Sequence, residues 1–186
     1  GFAICIGATT TDAAAAVVGP AGVLGVYGDR TRVFRLASVT KPLVARAAAI
    51  AVEEGVLDLD TPAGPPGATV RHLLAHASGL SIEFSHYLAE AVFEPLGMTS
   101  ARLEGGAAAA GFGVVASVED LTAFAGDLLR PVTVSAQMHA EATSVQFPGL
   151  DGVLPGFGMQ RPNDWGLGFE IRDGKSPHWT GAANSA

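Results

Sequence analysis

Apolar and polar positions along this chain change rhythm at residue 38. Before it the apolar runs are short: 13–18, then the turn signal Gly19-Pro20-Ala21-Gly22, then 23–27. Such runs, bounded by glycine and proline, predict the two strands of an antiparallel hairpin. Gly28-Asp29 turns the chain again, and 33–36 reads as an extended lead into Ser38. After it Leu43, Val44, Ala47, Ile50 and Ala51 recur at helical spacing. The spacing predicts a helix over 39–54, stopped by Gly55. Pro42 is tolerated only in a first turn, so the helix must begin close to Ser38. Its surface is apolar almost all round, which predicts burial on several sides.

The rest of the chain alternates short helices with loops. A rigid loop covers 62–67, and Thr69 caps a helix over 70–77 that ends at Ser78-Gly79. A second helix spans 85–93 and stops before Pro95. The stretch 105–113 is a loop of small residues. Ser117-Val118-Glu119-Asp120 has capping-box spacing, with Asp120 in the place usual for Glu or Gln, and starts a helix to 129. A further short helix covers 135–143, and 146–164 is a Gly- and Pro-rich loop. Residues 166–172 read as a strand, Asp173-Gly174 as a turn and 177–180 as a shorter strand. No internal repeat or linker divides the chain. The expectation is one α/β (α+β) domain over 1–186, with its sheet part at 13–58 and 146–186 and a mostly helical part at 59–145.

Composition removes several function classes. The 186 residues can bury a core, and 48% of them are hydrophobic, which excludes general disorder. With 24 glycines and 11 prolines, short elements are expected rather than a helical bundle. A net charge of -7 without a Lys/Arg cluster argues against nucleic acid as a partner. The single cysteine, Cys5, permits no internal disulfide. His72 and His76 stand at helical i, i+4 spacing, but the zinc pattern also needs a glutamate beside the first histidine, and Leu73 is there instead. No apolar run approaches the roughly 20 residues of a membrane-spanning helix. Residues 1–11 carry no basic residue and do not read as a secretory signal; the compartment stays open, with the cytoplasm slightly favoured.

The chemistry concentrates in Phe34-Arg35-Leu36-Ala37-Ser38-Val39-Thr40-Lys41. Residues three apart on a helix are neighbours. A neutral lysine amine there can take the proton of a serine hydroxyl, which is otherwise a poor nucleophile. The spacing therefore points to acyl transfer through an acyl-serine. Ser38 as a helix cap and Lys41 as a solvated side chain are the roles that need no chemistry.

Four segments in order resemble the serine β-lactamase family in the broad sense: class C β-lactamases, penicillin-binding DD-peptidases and related esterases. They are the Ser-x-x-Lys box at Ser38 and Lys41, Leu73-Leu74-Ala75-His76-Ala77-Ser78-Gly79-Leu80, Glu94-Pro95-Leu96-Gly97-Met98-Thr99, and Gly166-Leu167-Gly168-Phe169. The resemblance implies an antiparallel sheet flanked by helices, with a helical region over the cleft; the sheet, built from hairpin 13–36 and the strands near 166–180, is expected to pack on the Ser38 helix. It implies Ser38 as nucleophile, its N–H as half of an oxyanion hole, and Lys41 as base. It assigns His76 and Ser78 to turn geometry. No cofactor is needed.

The chain departs from the family pattern in two places. The Tyr-x-Asn box is absent: of two tyrosines, Tyr27 and Tyr87, the second is followed by Leu88-Ala89. No Lys-Thr-Gly box is present. Trp179-Thr180-Gly181 fits the Trp-containing variant of the substrate-binding box, with Trp179 as a core aromatic the alternative. A fuller chain is the expected home of the second box and of the last strands; a rearranged chain is the other explanation. The expected function is hydrolysis of a small-molecule ester, amide or β-lactam, with a carboxylesterase preferred. The rival is a non-catalytic homologue that binds a ligand or partner.

Overall fold

The computed structural model describes residues 1–9, 12–64, 66–76, 84–154, 158–160, 163–172 and 176–178. Three strands, β1 Phe2–Thr9, β2 Asp12–Gly19 and β3 Gly22–Tyr27, form an antiparallel meander in that order. The expected hairpin is β2–β3. Strand β1 was not expected, although its residues alternate: Ile4 is buried while Ala3 and Cys5 are exposed. Ile4 pairs with Ala16, so the buried faces of β1 and β2 coincide.

Strand β4, Val33–Arg35, does not extend that meander. It pairs with β6, Val114–Ser117, which also pairs with β5, Arg102–Leu103, in a second sheet of order β4-β6-β5. Phe34 lies opposite Ala116, and both are buried. The stretch expected to be helical thus carries two strands of its own. Two further hairpins follow, β7 Gly152–Leu154 with β8 Gly158–Gln160, and β9 Glu170–Arg172 with β10 Ser176–His178. The first lies where a loop was expected. The second is shorter than expected, because Gly166–Phe169 is a turn, not strand.

Helix α1, Thr40–Glu53, follows a 3-10 turn, Ala37–Val39. One side, with Leu43, Ala47 and Ile50, joins the main core; the other, with Ala45 and Ala48, packs on Leu59, Val70, Leu74 and Leu167. Burial on several sides is what its sequence required. Helix α2 is Val70–His76, and α3, Phe84–Leu88, runs on into a π-helical turn, Ala89–Phe93. Helix α4, Val118–Leu129, has the expected capping box: Asp120 N–H donates to Ser117 Oγ at 3.1 Å, and Ser117 N–H to Asp120 Oδ2 at 2.9 Å. Ser135 caps α5, Ala136–Ala142, by accepting the Met138 N–H at 3.1 Å.

One sheet of the hairpin 13–36 and the strands near 166–180 was expected to pack on the Ser38 helix, but these strands fall into separate sheets, the first of them β1–β3. The main helical neighbour of that sheet is instead α4, while α1 shares the same core. Leu121 and Phe124 of α4 and Leu43 of α1 are at most 1% exposed. Full burial of one such side chain stabilises the fold by roughly 1.5–3 kcal/mol. An ion pair lies at the junction of α1 and α4, Arg46 Nε to Asp127 Oδ2 at 3.2 Å, with side chains 2% and 0% exposed. That nitrogen is not aligned as a hydrogen bond. The Asp127 carboxylate also accepts N–H groups from Val132 and Thr133 and the Thr133 hydroxyl. Among the described residues no helix is long and apolar enough to cross a membrane.

Candidate active site

Ser38 sits in the 3-10 turn that opens α1 and is partly exposed. The lysine one turn on reaches back to it: Lys41 Nζ lies 3.1 Å from Ser38 Oγ. The same nitrogen donates to the Gly111 carbonyl oxygen at 2.9 Å. The two polar groups separated by three positions in sequence therefore share one hydrogen bond, and a backbone carbonyl 70 residues on fixes the amine. Gly111 leaves the space open: a Cβ there would sit 3.9 Å from Nζ.

Burial is the cause that pushes Lys41 below the usual lysine range, because a partly desolvated ammonium loses hydration. A carbonyl acceptor orients the amine without supplying a full negative charge. Among the described residues no carboxylate pairs with it within 4.0 Å. The neutral, basic form is thereby favoured over what a salt-bridged lysine would allow.

The turn carrying Ser38 is held from both ends by one residue. Leu36 N–H donates to the Val114 carbonyl at 2.9 Å, and Val114 N–H donates to Thr40 Oγ1 at 3.0 Å. Thr40 is fully buried. Between these anchors Ala37 has φ +46°, the left-handed region that a residue with a Cβ rarely enters. Such a conformation costs about 1–3 kcal/mol and persists where surrounding bonds impose it. Here the two bonds to Val114 do so.

Gly168 closes the back of the site. Its φ is +82°, and a Cβ on it would meet Ala45 Cβ at 2.3 Å and the Lys41 carbonyl oxygen at 3.4 Å. Its N–H donates to the Leu74 carbonyl at 2.9 Å. The turn before β9 is thereby seated on the first turns of α1 and tied to α2.

Of the site residues expected from sequence, the structure brings Ser38 and Lys41 together. Trp179, Thr180 and Gly181 lie outside the described residues, as do Ser78 and Gly79. Tyr87 is at the opposite end of α1, roughly 20 Å away by helical rise. Its hydroxyl donates to Glu54 Oε2 at 2.8 Å, and burial together with that carboxylate pushes it up to about 12. His72 accepts the Thr69 N–H through Nδ1 and stacks on Phe147. Among the described residues no three histidine, cysteine or carboxylate side chains gather to hold a metal ion. Gly111, Thr40 and Gly168 were missed. The stretch 105–113 reads only as a loop of small residues, and nothing in it names Lys41 as the partner of the Gly111 carbonyl.

Known proteins resemble this chain at two levels. The Beta-lactamase family profile matches residues 13–94. A β-lactamase structure from Mycobacterium bovis is 65% identical, with a TM-score of 0.82 over 92% of this chain and 75% of that one. D-amino acid amidase from Ochrobactrum anthropi, solved with L-phenylalanine amide, is 17% identical, with a TM-score of 0.66 over 91% of this chain and 78% of that one. An octameric penicillin-binding protein homologue from Pyrococcus abyssi has 17% identity and a TM-score of 0.64, over 87% of this chain and 60% of that one. At such identity the last two share the fold alone. No curated protein sequence matches the chain.

Proposed function

Because the chain belongs to the serine β-lactamase and penicillin-binding-protein-like family, we propose that it is a serine hydrolase that cleaves an ester or amide through an acyl-enzyme on Ser38. The observation that carries this is the 3.1 Å contact between Lys41 Nζ and Ser38 Oγ, with the amine held by Gly111 and lowered in basicity by burial.

The chemistry runs in two halves. Neutral Lys41 takes the hydroxyl proton of Ser38 as Oγ attacks the acyl carbon. The leaving alcohol or amine recovers that proton from Lys41, leaving the acyl group on Oγ. Water, deprotonated by the same amine, then attacks the acyl carbon and releases the acid, and Oγ regains a proton. The N–H of Ser38 is the expected half of an oxyanion hole, and Trp179-Thr180-Gly181 the expected substrate-binding strand. A carboxyl ester is the preferred substrate because no Lys-Thr-Gly box is present to take a carboxylate.

Labelling by a fluorophosphonate probe tests this reading. We expect one adduct on Ser38, lost in Ser38→Ala and in Lys41→Ala. A folded parent protein that neither the probe nor a fluorescent penicillin labels overturns it, and the chain is then a binding module. Nitrocefin against a short-chain p-nitrophenyl ester separates lactam from ester hydrolysis.

A further inference from the structure

A cavity of about 370 Å³ lies on the second sheet, lined by Arg35, Glu104, Ala108, Phe112 and Val115 among others. Phe34 and Ala116 turn inward to the main core, so by alternation Arg35 and Val115 face the other way. Val115 of β6 pairs with Arg35 of β4 on one side and with Arg102 of β5 on the other. Residues directly opposite on neighbouring strands share a face, so both arginines flank Val115. The loop 104–113 makes the remaining wall and is ordered in advance. Glu104 N–H donates to the Gly113 carbonyl at 2.9 Å, and Gly113 N–H to the Ala109 carbonyl at 2.7 Å. A Cβ on Gly113 would meet the Glu104 carbonyl oxygen at 2.4 Å.

Two short connections tie this cavity to the Ser38–Lys41 pair. Phe112 is bonded to Gly111, whose carbonyl holds Lys41 Nζ at 2.9 Å, and that nitrogen lies 3.1 Å from Ser38 Oγ. Standard bond lengths then keep the Phe112 Cα within roughly 9 Å of the hydroxyl. Arg35 precedes Ser38 by three residues, which limits their Cα separation to about 11 Å. An acyl group bonded to Oγ is therefore housed within reach of both side chains.

Their chemistry is complementary to one kind of group. The Phe112 side chain is 63% exposed and offers its face to a flat apolar ring. The Arg35 side chain is 88% exposed, and its ion pair with Glu104 Oε2 spans 3.9 Å. Glu104 is held more closely by Arg102, at 2.7 Å. Two guanidinium groups thus share one carboxylate, which leaves a positive charge in excess on a chain whose net charge is -7. The parallel N–H donors of a guanidinium match a carboxylate.

Resting on the hydrolase reading of Ser38, we propose that this cavity receives the acyl part of the substrate. Arg35 is then a specificity-determining residue that selects an aromatic acyl group bearing a carboxylate. The probes are the p-nitrophenyl monoester of terephthalate, the p-nitrophenyl ester of p-toluate and that of p-trimethylammoniobenzoate. Each preference is read as a ratio of kcat/KM within one protein, corrected by the uncatalysed rates. The parent should favour the terephthalate ester over the toluate ester at least about fivefold, and added salt should shrink that gap. Arg35→Gln should bring the ratio to about one through KM, and Arg35→Lys should keep part of it. Arg35→Glu should turn the preference toward the trimethylammonio ester. Phe112→Ala should lower kcat/KM for all three esters at least about threefold, with the charge preference kept. A parent ratio near one, a ratio unchanged in Arg35→Gln, or no turnover of these esters by a protein that the fluorophosphonate probe labels overturns the inference. The probe also tells the two failures apart. Labelling of Ser38 without a charge preference sinks this inference alone, whereas an unlabelled, folded protein sinks the hydrolase reading and this inference with it.

Discussion

Val114 N–H donates to Thr40 Oγ1 across 3.0 Å, and both residues are fully buried. This bond joins the start of α1 to the central strand of the second sheet. Thr40→Val keeps the side-chain shape but leaves the amide without an acceptor. A loss of about 1–3 kcal/mol in urea unfolding is expected, with slower probe labelling of Ser38. Thr40→Ser should retain most of both. Unchanged stability in Thr40→Val would mean that the bond contributes nothing.

Lys41→Met separates chemistry from folding. Probe labelling should fall roughly 10²–10⁴-fold, the usual contribution of a general base. In the parent, labelling should rise with pH and level off below about 10.4, the ordinary lysine value, because burial depresses this one. The unfolded chain binds more protons across that window, so parent stability rises with pH there. Lys41→Met lacks that slope and should be no less stable at neutral pH. A parent-like labelling profile in the variant would make Lys41 structural.

Asp127→Ala strands the buried Arg46 guanidinium. The expected loss is about 3–5 kcal/mol, the range for breaking a buried pair by deleting one partner. Arg46→Met added to it should recover part of the loss, since the unpaired charge is then gone. Denaturant midpoints of the four proteins in this cycle measure the coupling directly.

His139 Nδ1 lies 3.5 Å from Arg46 Nη2. Burial first, and the Arg46 charge second, hold its pKa below the ordinary value; Asp127 opposes this more weakly. Stability is therefore complete above about 6.5 and declines as pH falls from there through the depressed value. His139→Gln should flatten that decline in thermal melts between pH 7 and 5. An identical slope in the variant would assign the acid sensitivity to other groups.

Gly168→Ala combines a strained φ with a collision against Ala45. A destabilisation of at least about 1–3 kcal/mol is expected, and Ala45→Gly should relieve part of it. Melting temperatures of the single and double variants test this.

The hairpin 13–27, the buried α1 and the Ser38–Lys41 pair were legible because each rests on local signals: turn residues, a first-turn proline, a three-residue spacing. Strand β1 was legible in principle from the alternation of Phe2, Ile4 and Ile6. What could not be read was long-range. Nothing near Arg35 says that β4 pairs with Val115 rather than with the hairpin, and nothing near Lys41 names Gly111. The β7–β8 hairpin was hidden because Gly152 and Gly158 resemble loop residues in isolation. Gly168 stands inside the Gly166-Leu167-Gly168-Phe169 segment, yet the reason for it, an approach to Ala45, belongs to another part of the chain.

The two bonds from Val114 have a temporal consequence. The geometry at Ser38 is completed by a residue 76 positions later in the chain, reckoned from the numbering. A nascent or proteolysed piece ending before that strand would carry the same hydroxyl and amine on a helix, without the clasp that sets the left-handed Ala37. If Ser38 is the nucleophile proposed above, its covalent labelling is expected to begin only once the second sheet has docked.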